Sequence, residues 1–259
     1  MSVSAPAAPS RWLPASVRGG LGILRSLRVY YRRERSGALD RMHARFAGQG
    51  DLAFDIGSHV GDRIASFRRL GMRVVAVEPQ PALARLLRLL YGRDPKVTIV
   101  QAAVGAWSGE TTLHVNVDNP TVNTLSSEFI RAADGAPSWL GQRWEQRLPV
   151  PVTTLDELIR RFGEPRFIKI DVEGYEQEVL RGLSLLPAAL SFEFTTIQRQ
   201  VAYAALAQCE RLGARRFNAA LGESQRLQHA LWIDAGGMHA WLQALPQAAN
   251  SGDIYAVAD

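Results

Sequence analysis

The sequence is poor in cysteine and has no long apolar run. A single cysteine, Cys209, in a chain of 259 residues excludes an intramolecular disulfide and a cysteine-only metal cluster, which is typical of a reducing compartment. No stretch approaches the roughly 18 to 20 apolar residues that a membrane-spanning helix needs. The start, 1–10, lacks the basic and then apolar pattern of a secretory signal. These absences predict a cytoplasmic protein.

The positive charge is carried almost entirely by arginine, because Lys96 and Lys169 are the only lysines among 30 basic residues, with a net charge of +5. Such crowding of arginine near the N-terminus indicates either an anionic partner (nucleic acid, a phosphorylated substrate or a membrane surface) or a solvated helix face. No aromatic-rich RNA-binding motif accompanies it, so we expect no nucleic-acid partner and only a weak membrane-surface contact by this arm. The crowded residues are Arg18, Arg25, Arg28, Arg32, Arg33 and Arg35.

From residue 52 onward, short apolar segments alternate with segments of helical periodicity. This alternation predicts parallel βαβ units, and so an α/β domain with helices on both faces of a mostly parallel sheet. The domain is expected at 49–259, after a disordered tail at 1–10 and a helical arm at 11–48. The seven expected strands are 52–56, 72–77, 97–100, 166–171, 189–194, 216–221 and 253–257, the last two adding an antiparallel edge.

A polar insert, 118–147, interrupts this alternation. A long loop in a compact domain is usually functional or disordered, so we expect an acceptor-binding loop or a lid here. Trp139 and Trp144, which have arginines beside them, would stack on a sugar face, or they would anchor the lid by packing. Asn123 and Thr124 would supply amide and hydroxyl contacts to the same acceptor.

The segment D-I-G-S-H-V-G, from Asp55 to Gly61, ends the first strand and enters a helix. Gly57 and Gly61 allow a tight turn and a close approach of a ligand, and the helix offers free amides beside it. A dinucleotide fingerprint needs G-x-G-x-x-G, and Ser58-His59 stands where its second glycine would be. The motif therefore spells no pyrophosphate cradle, and Asp55 suits a ligand with a cationic amino-acid end.

Glu78 ends the second strand, about twenty residues beyond the glycine motif. A carboxylate at this place can accept both hydroxyl groups of a ribose without any phosphate contact. The alternative is a surface glutamate that caps the next helix. With the glycine turn in place, we favour ribose binding.

Charged residues also occupy an expected central strand and its end. Lys169 and Asp171 are two apart, so they project from the same face, and in a buried strand they must pair or serve a site at its carboxyl end. Glu173 and Glu193 follow strand ends in the same way. The alternative is a structural ion pair with carboxylates that stabilise helix starts. Acidic clusters can hold Mg²⁺, but no spacing here requires a metal and we predict none.

Five blocks occur in a fixed order along the chain: D-I-G-S-H-V-G at 55–61, V-E-P at 77–79, A-A-V-G at 102–105, V-T-T-L-D at 152–156 and I-K-I-D-V-E-G at 168–174. This series resembles the FkbM family of S-adenosylmethionine-dependent methyltransferases, over about 51–194. The resemblance implies a class I, Rossmann-like methyltransferase fold and mostly O-methylation, often of sugar or polyketide hydroxyl groups. The family usually has Asn where this chain has His59, which would contact the methionine carboxylate or cap the helix.

The resemblance and the motifs together predict the site. Methyl transfer to a hydroxyl needs an in-line acceptor oxygen and a base, for which Asp171 and Glu173 are the candidates, with Lys169 tuning the charge. Glu193 is expected on the acceptor side, and the acceptor is expected to be a small molecule or a glycan. Alternatives are an NAD-type Rossmann oxidoreductase and a non-enzymatic binding module. The expected cofactor-binding residues are Asp55, Gly57, Ser58, His59, Gly61, Glu78, Ala102, Ala103 and Asp171.

Overall fold

The computed structural model describes residues 12–258, so the tail predicted at 1–10 lies outside the described residues. The α-helices of the described chain are α1 (Ala15–Tyr30), α2 (Arg33–His43), α3 (Asp62–Arg69), α4 (Pro81–Tyr91), α5 (Ser127–Ala133), α6 (Leu155–Phe162), α7 (Glu176–Arg181), α8 (Arg199–Arg211) and α9 (Ala235–Ala244). The strands are β1 (Leu52–Ile56), β2 (Arg73–Val77), β3 (Val97–Val100), β4 (Ala103–Val104), β5 (Gly109–Val115), β6 (Gln146–Thr153), β7 (Phe167–Ile170), β8 (Ala189–Thr195), β9 (Arg216–Leu221) and β10 (Ser251–Val257).

The main sheet has seven strands in the order β3-β2-β1-β7-β8-β10-β9. Strands β3, β2, β1, β7 and β8 pair in parallel, whereas β10 is antiparallel to both β8 and β9. The predicted seven-stranded, mostly parallel sheet is confirmed. The expected antiparallel edge is also confirmed: β10 lies between β8 and β9, and β9 is the edge strand.

The two faces of the sheet differ in polarity. One face packs Phe54, Ile56 and Ile168 against the apolar sides of the later helices. On the other face, Asp55 of β1 lies opposite Lys169 of β7 in the parallel register. Since alternate residues of a strand point to opposite faces, the charged residues share the face that α2 and α3 cover.

A second sheet, of three strands in the order β4-β6-β5, lies outside the main one. The period-two stretches on either side of the insert form β5 and β6, which pair in antiparallel fashion from Gly109–Val152 to Val115–Gln146. Helix α6, which the sequence analysis did not predict, follows β6. The Oγ1 of Thr154 caps it by accepting the N–H of Glu157 at 3.1 Å.

The N-terminal arm forms α1 and α2, and α2 packs against α3. After α2, the ring of Phe46 stacks on Phe167 and on Tyr255, with ring centroids 5.1 Å apart in both pairs. The arm is thereby attached to the strands of the main sheet. Among the described residues, none of the helices combines the length and the hydropathy that a bilayer-spanning segment needs.

Candidate active site

A cleft of about 540 Å³ opens at the carboxyl ends of β1, β2 and β7. The carboxyl edge of an open α/β sheet is where small-molecule sites usually lie. We call the part around Gly57, His59 and Glu78 the glycine end, and the part around Asp171 and Glu173 the carboxylate end. Glu193, which was predicted to bind substrate, does not line the cleft, but its carboxylate lies beside those of Asp171 and Glu173 and is described with this end. Further lining residues are Ala102 and Ala103 after β3 and Thr121, Asn123 and Thr124 of the insert.

The turn after β1 depends on glycine at two positions. Gly57 has a φ of +83°, and a Cβ atom there would lie 1.8 Å from the backbone oxygen of Asp171. Gly61 has a φ of +84°, and a Cβ atom would lie 2.8 Å from the side chains of Leu87 and Tyr91. Only glycine therefore allows the β1 turn to pack so closely against β7 and α4.

Between these glycines, His59 also adopts a left-handed backbone conformation, with a φ of +48°. Histidine, like asparagine and aspartate, is enriched in this region of backbone conformation, so His59 keeps the turn that an asparagine would form. Its Nε2 lies 3.5 Å from the Oγ1 of Thr121. Burial and the nearby Arg63 lower the pKa of His59 to about 3, so the imidazole facing the cleft is neutral.

The Glu78 carboxylate lies at the floor of the glycine end. It accepts hydrogen bonds from the backbone N–H of His59 at 2.9 Å and of Gln80 at 2.8 Å. One oxygen is used by each bond, which leaves acceptor capacity on both. Burial raises the pKa of Glu78 to about 7 despite these two donors. The carboxylate is therefore fixed in place and still able to accept two hydroxyl groups.

Asp55 has no exposed surface, and neither of its carboxylate oxygens has a hydrogen-bond partner among the described residues. Burial raises its pKa to about 6. A buried carboxylate without a donor is costly unless a cation or a donor compensates it. Asp55 lies under the close turn at Gly57 and does not itself line the cleft. Its free acceptors fit a ligand with an ammonium group, as S-adenosylmethionine has.

Of the other residues predicted to bind the cofactor, some line the cleft and some lie below it. Gly57, His59, Glu78, Ala102 and Ala103 line the cleft, as does Asp171. Ser58 is buried below it, where its hydroxyl donates to the backbone oxygen of Asp55 at 2.8 Å. Ser58 and Gly61 thus shape the turn rather than face the cleft.

At the carboxylate end, Asp171 is held by two cations. Its Oδ2 lies 2.5 Å from a guanidinium nitrogen of Arg63 and 3.5 Å from the Nζ of Lys169. Burial by itself raises the pKa of Asp171, but Lys169 and Arg63 outweigh it and hold the pKa well below its usual range. Asp171 is therefore an ionised carboxylate at the cleft wall.

Lys169 was predicted to take part in catalysis, but it is buried beneath the cleft rather than lining it. Its ammonium donates to the Oδ1 of Asp253 at 2.7 Å and to the backbone oxygen of Ile170 at 3.0 Å. Lys169 is accordingly a positioning residue, which acts on the charge and orientation of Asp171.

Glu173 and Glu193 complete the carboxylate end. One oxygen of each lies with an oxygen of Asp171 within 4.8 Å. The Oε2 atoms of both glutamates are buried without a hydrogen-bond partner among the described residues. Burial and the charge of Asp171 raise the pKa of both glutamates well above the usual range. This end therefore combines one ionised carboxylate with two that hold a proton tightly.

The insert supplies one wall of the cleft through its first part. Asn123 and Thr124 line the cleft as predicted, and the Oγ1 of Thr124 donates to the backbone oxygen of Glu173 at 2.6 Å. The Nδ2 of Asn123 donates to the Oε1 of Gln80 at 3.1 Å. The insert is thus fastened to both ends of the cleft.

Trp139 and Trp144, which were predicted to bind substrate, do not line this cleft. Both pack edge-on against Phe129, with ring centroids at 4.9 and 6.1 Å, in a small apolar cluster of the insert. The indole of Trp144 donates to the backbone oxygen of Val122 at 2.7 Å. This packing is what the alternative prediction, that the tryptophans anchor the insert, would require.

Arg63 and Thr121 were not predicted as site residues. Arg63 lies in the first turn of α3, where the helix dipole disfavours a cation, so an arginine at that place indicates a specific anionic partner. Asp253, which shares Lys169 with Asp171, was predicted only as part of a late strand. No local pattern links Asp253 to residue 169, since β8 separates their strands in the sheet.

Known proteins are similar to this chain at the level of family and of fold. The family model described as the methyltransferase FkbM domain matches residues 55–237. Among solved structures, the chain is similar to a TehB-like SAM-dependent methyltransferase from Corynebacterium glutamicum, at 12% identity over 95% of this chain and 99% of that one, with a TM-score of 0.48. A precorrin-6y C5,15-methyltransferase from Geobacter metallireducens is 12% identical over 88% and 90% of the two chains, with a TM-score of 0.44. A search of curated protein sequences finds no match.

Proposed function

Because the chain belongs to the FkbM family of methyltransferases, we propose that it methylates a hydroxyl group on a sugar, a glycan or a glycosylated or polyketide metabolite. S-adenosylmethionine is its methyl donor, which excludes the NAD-dependent alternative. The observation that carries the proposal is the carboxylate end, where the ionised Asp171 and the proton-holding Glu173 line the same cleft as the glycine turn.

The glycine end has groups suited to each polar part of the donor. The two oxygens of Glu78 keep acceptor capacity for the ribose hydroxyl groups, and Asp55 has two carboxylate oxygens without a hydrogen-bond donor among the described residues, which suits the ammonium group. The turn of Ala102 and Ala103 lines the same cleft with small apolar side chains that suit an aromatic base. When bound, S-adenosylmethionine supplies a methyl group that its sulfonium makes electrophilic.

The carboxylate end has groups suited to the acceptor. Asp171 is ionised, so it accepts a hydrogen bond from the acceptor hydroxyl and orients the oxygen. Glu173 has the higher affinity for a proton, and in its ionised form it takes the hydroxyl proton as the carbon–oxygen bond forms. Arg63 and Lys169 keep the first of these carboxylates charged while the second exchanges its proton.

The nature of the lining favours a hydroxyl-rich acceptor. Thr121 and Asn123 of the insert and the neutral His59 offer hydroxyl, amide and imidazole groups without a net charge. Such groups pair with sugar hydroxyls more readily than with a charged acceptor. We place the reaction in the cytoplasm, where the free and buried thiol of Cys209 would stay reduced.

Transfer of a labelled methyl group from S-adenosylmethionine to a panel of sugars, glycans and glycosylated metabolites tests the proposal. We expect label in a methyl ether, identified by the carbon chemical shift of the new methyl group. Glu173→Gln should remove the transfer. Glu176→Gln is the matched control, because Glu176 does not line the cleft and accepts the backbone N–H groups of Val172 and Gly174. Methylation of nitrogen or carbon would contradict the proposal. Cofactor binding without transfer to any acceptor would indicate a binding module instead.

A further inference from the structure

We propose that the outer face of α1 docks on an anionic lipid surface. The inner face of the helix packs against the rest of the protein, whereas the outer face is exposed to solvent. On that face, Arg18 forms ion pairs with Asp118 at 2.8 Å and with Glu145 at 2.5 Å. Gly22 is buried against the insert, where a Cβ atom would lie 2.9 Å from the Cδ of Pro120. The helix is therefore fixed on the protein in one rotational setting.

The outer face is apolar and exposed. Val17, Leu21 and Leu24 are 45%, 45% and 57% exposed. Their spacing of four and three residues puts them on one stripe of the helix. Trp12 and Leu13, at 93% and 37% exposure, extend the stripe just before the helix begins. Scattered exposed apolar residues are normal, but a continuous stripe on a fixed helix marks an interaction surface.

Positive charge continues the stripe at its other end. Arg28 lies four residues beyond Leu24 on the same side of α1, and Arg32 and Arg33 follow at the start of α2. All three are exposed, and within residues 12–258 none of them forms an ion pair. The segment 12–33 contains no aspartate or glutamate. The surface is thus apolar and cationic without any compensating acid of its own.

A lipid surface fits this combination better than the other partners of similar charge. Nucleic acid would contact the arginines but would leave the leucines in water. A helix with an apolar stripe, a basic end and an aromatic residue at its start is typical of one that lies in a membrane interface. Arginines near an anionic leaflet then add attraction that apolar burial alone does not give.

The site and this surface are joined through the insert. Arg25 donates to the backbone oxygen of Asp118 at 2.8 Å, and Pro120 and Thr121, just beyond it, line the cleft. Docking through α1 would hold the insert near the lipid. On the basis of the proposed function, the enzyme docked on a lipid surface would then be close to acceptor hydroxyl groups carried by lipids of that surface.

Vesicle co-sedimentation of the full chain, without cofactor or acceptor, tests the docking surface independently of the proposed function. We expect binding to phosphatidylglycerol–phosphatidylcholine vesicles and much weaker binding to pure phosphatidylcholine. The double variant Leu21→Gln/Leu24→Gln should bind at least about tenfold more weakly. Arg28→Gln/Arg32→Gln/Arg33→Gln should bind roughly a hundredfold more weakly to the anionic vesicles.

The matched control is Leu185→Gln/Leu231→Gln, which changes two leucines that are 68% and 80% exposed outside α1. This control should bind like the parent, and circular dichroism should show unchanged thermal unfolding for every variant. Sedimentation velocity tests the competing occupant, a second copy of this chain. Absence of binding by the parent, equal binding by the leucine variant, or a dimer that only the leucine variant dissociates would each overturn the proposal.

Discussion

At the glycine end of the cleft, the Glu78 carboxylate is held by two backbone N–H groups, whereas at the carboxylate end Asp171 is held by the side chains of Arg63 and Lys169. The donors to Glu78 are backbone groups, so they are present whichever side chains the turn carries. Asp171, in contrast, depends on two particular side chains, one on α3 and one on β7. The two ends therefore differ in how a substitution would affect them: the glycine end through binding, and the carboxylate end through both chemistry and folding.

The largest effect is expected from Glu173→Gln, which tests the proton acceptor. Removing a general base commonly lowers turnover by ~10²–10⁴. The pKa of Glu173 in the folded protein is raised well above that of an ordinary glutamate. Below this raised pKa the carboxyl group is protonated and cannot accept the proton of the hydroxyl group. Turnover at saturating cofactor should therefore fall as pH decreases through this raised pKa, and the variant should lack that acidic limb.

Glu176→Gln is the control for this experiment, since Glu176 is buried nearby but accepts backbone N–H groups. It should keep the turnover of the parent and an acidic limb, shifted to lower pH because the charge of Glu176 contributes to the raised pKa of Glu173. A pH profile of Glu173→Gln that coincides with the parent profile would remove Glu173 from the mechanism.

The next effect concerns folding. Arg63→Gln leaves the half-buried Asp171 with Lys169 as its remaining cation, and breaking such a largely buried ion pair costs about 3 kcal/mol of unfolding free energy. Urea denaturation should detect this loss. The double variant Arg63→Gln/Asp171→Asn should recover much of the stability but none of the turnover. A single variant as stable as the parent would show that the pair does not stabilise the fold.

A smaller effect is expected in the apolar part of the insert. Trp144→Phe loses the hydrogen bond from the indole to Val122, a loss of about 1 kcal/mol in stability. The KM values for cofactor and acceptor should stay within about twofold, because Trp144 does not line the cleft. A large rise in the KM of the acceptor would return this tryptophan to the site.

No effect is expected from removal of metal ions. The carboxylate oxygens of Asp171, Glu173 and Glu193 lie within 4.8 Å, a spacing that a divalent cation could bridge. Arg63 and Lys169 already neutralise Asp171, however, and the two glutamates can hold protons. Turnover after treatment with EDTA should match that of untreated enzyme, and restoration by added Mg²⁺ would contradict this expectation.

The same contrast explains what the sequence could reveal. The β1 turn and Glu78 were predictable because their partners are backbone atoms within about twenty residues, so the motif itself contains the contacts. The alternation of apolar strands and helices likewise predicted the parallel sheet. In both cases the relevant information is local.

The carboxylate end could be predicted only in part. The charged strand showed that Lys169 and Asp171 must have partners, but Arg63 is 108 residues away from Asp171 and Asp253 is 84 residues away from Lys169. The place of β10, between β8 and β9, brings Asp253 to Lys169. For the tryptophans, composition could not distinguish stacking on a sugar from packing on Phe129, since both use the same aromatic surface.

The most direct test of the two-ended cleft measures cofactor affinity by calorimetry and turnover at saturating cofactor for the same two variants. Glu78→Ala should weaken cofactor binding by about a hundredfold while leaving saturated turnover within a few-fold of the parent, because it removes two hydrogen bonds to a charged group. Asp171→Asn removes the group that orients the acceptor hydroxyl, so it should lower turnover by about a hundredfold with a much smaller change in cofactor affinity. The account would be contradicted if Glu78→Ala lost turnover at saturating cofactor while Asp171→Asn kept full turnover.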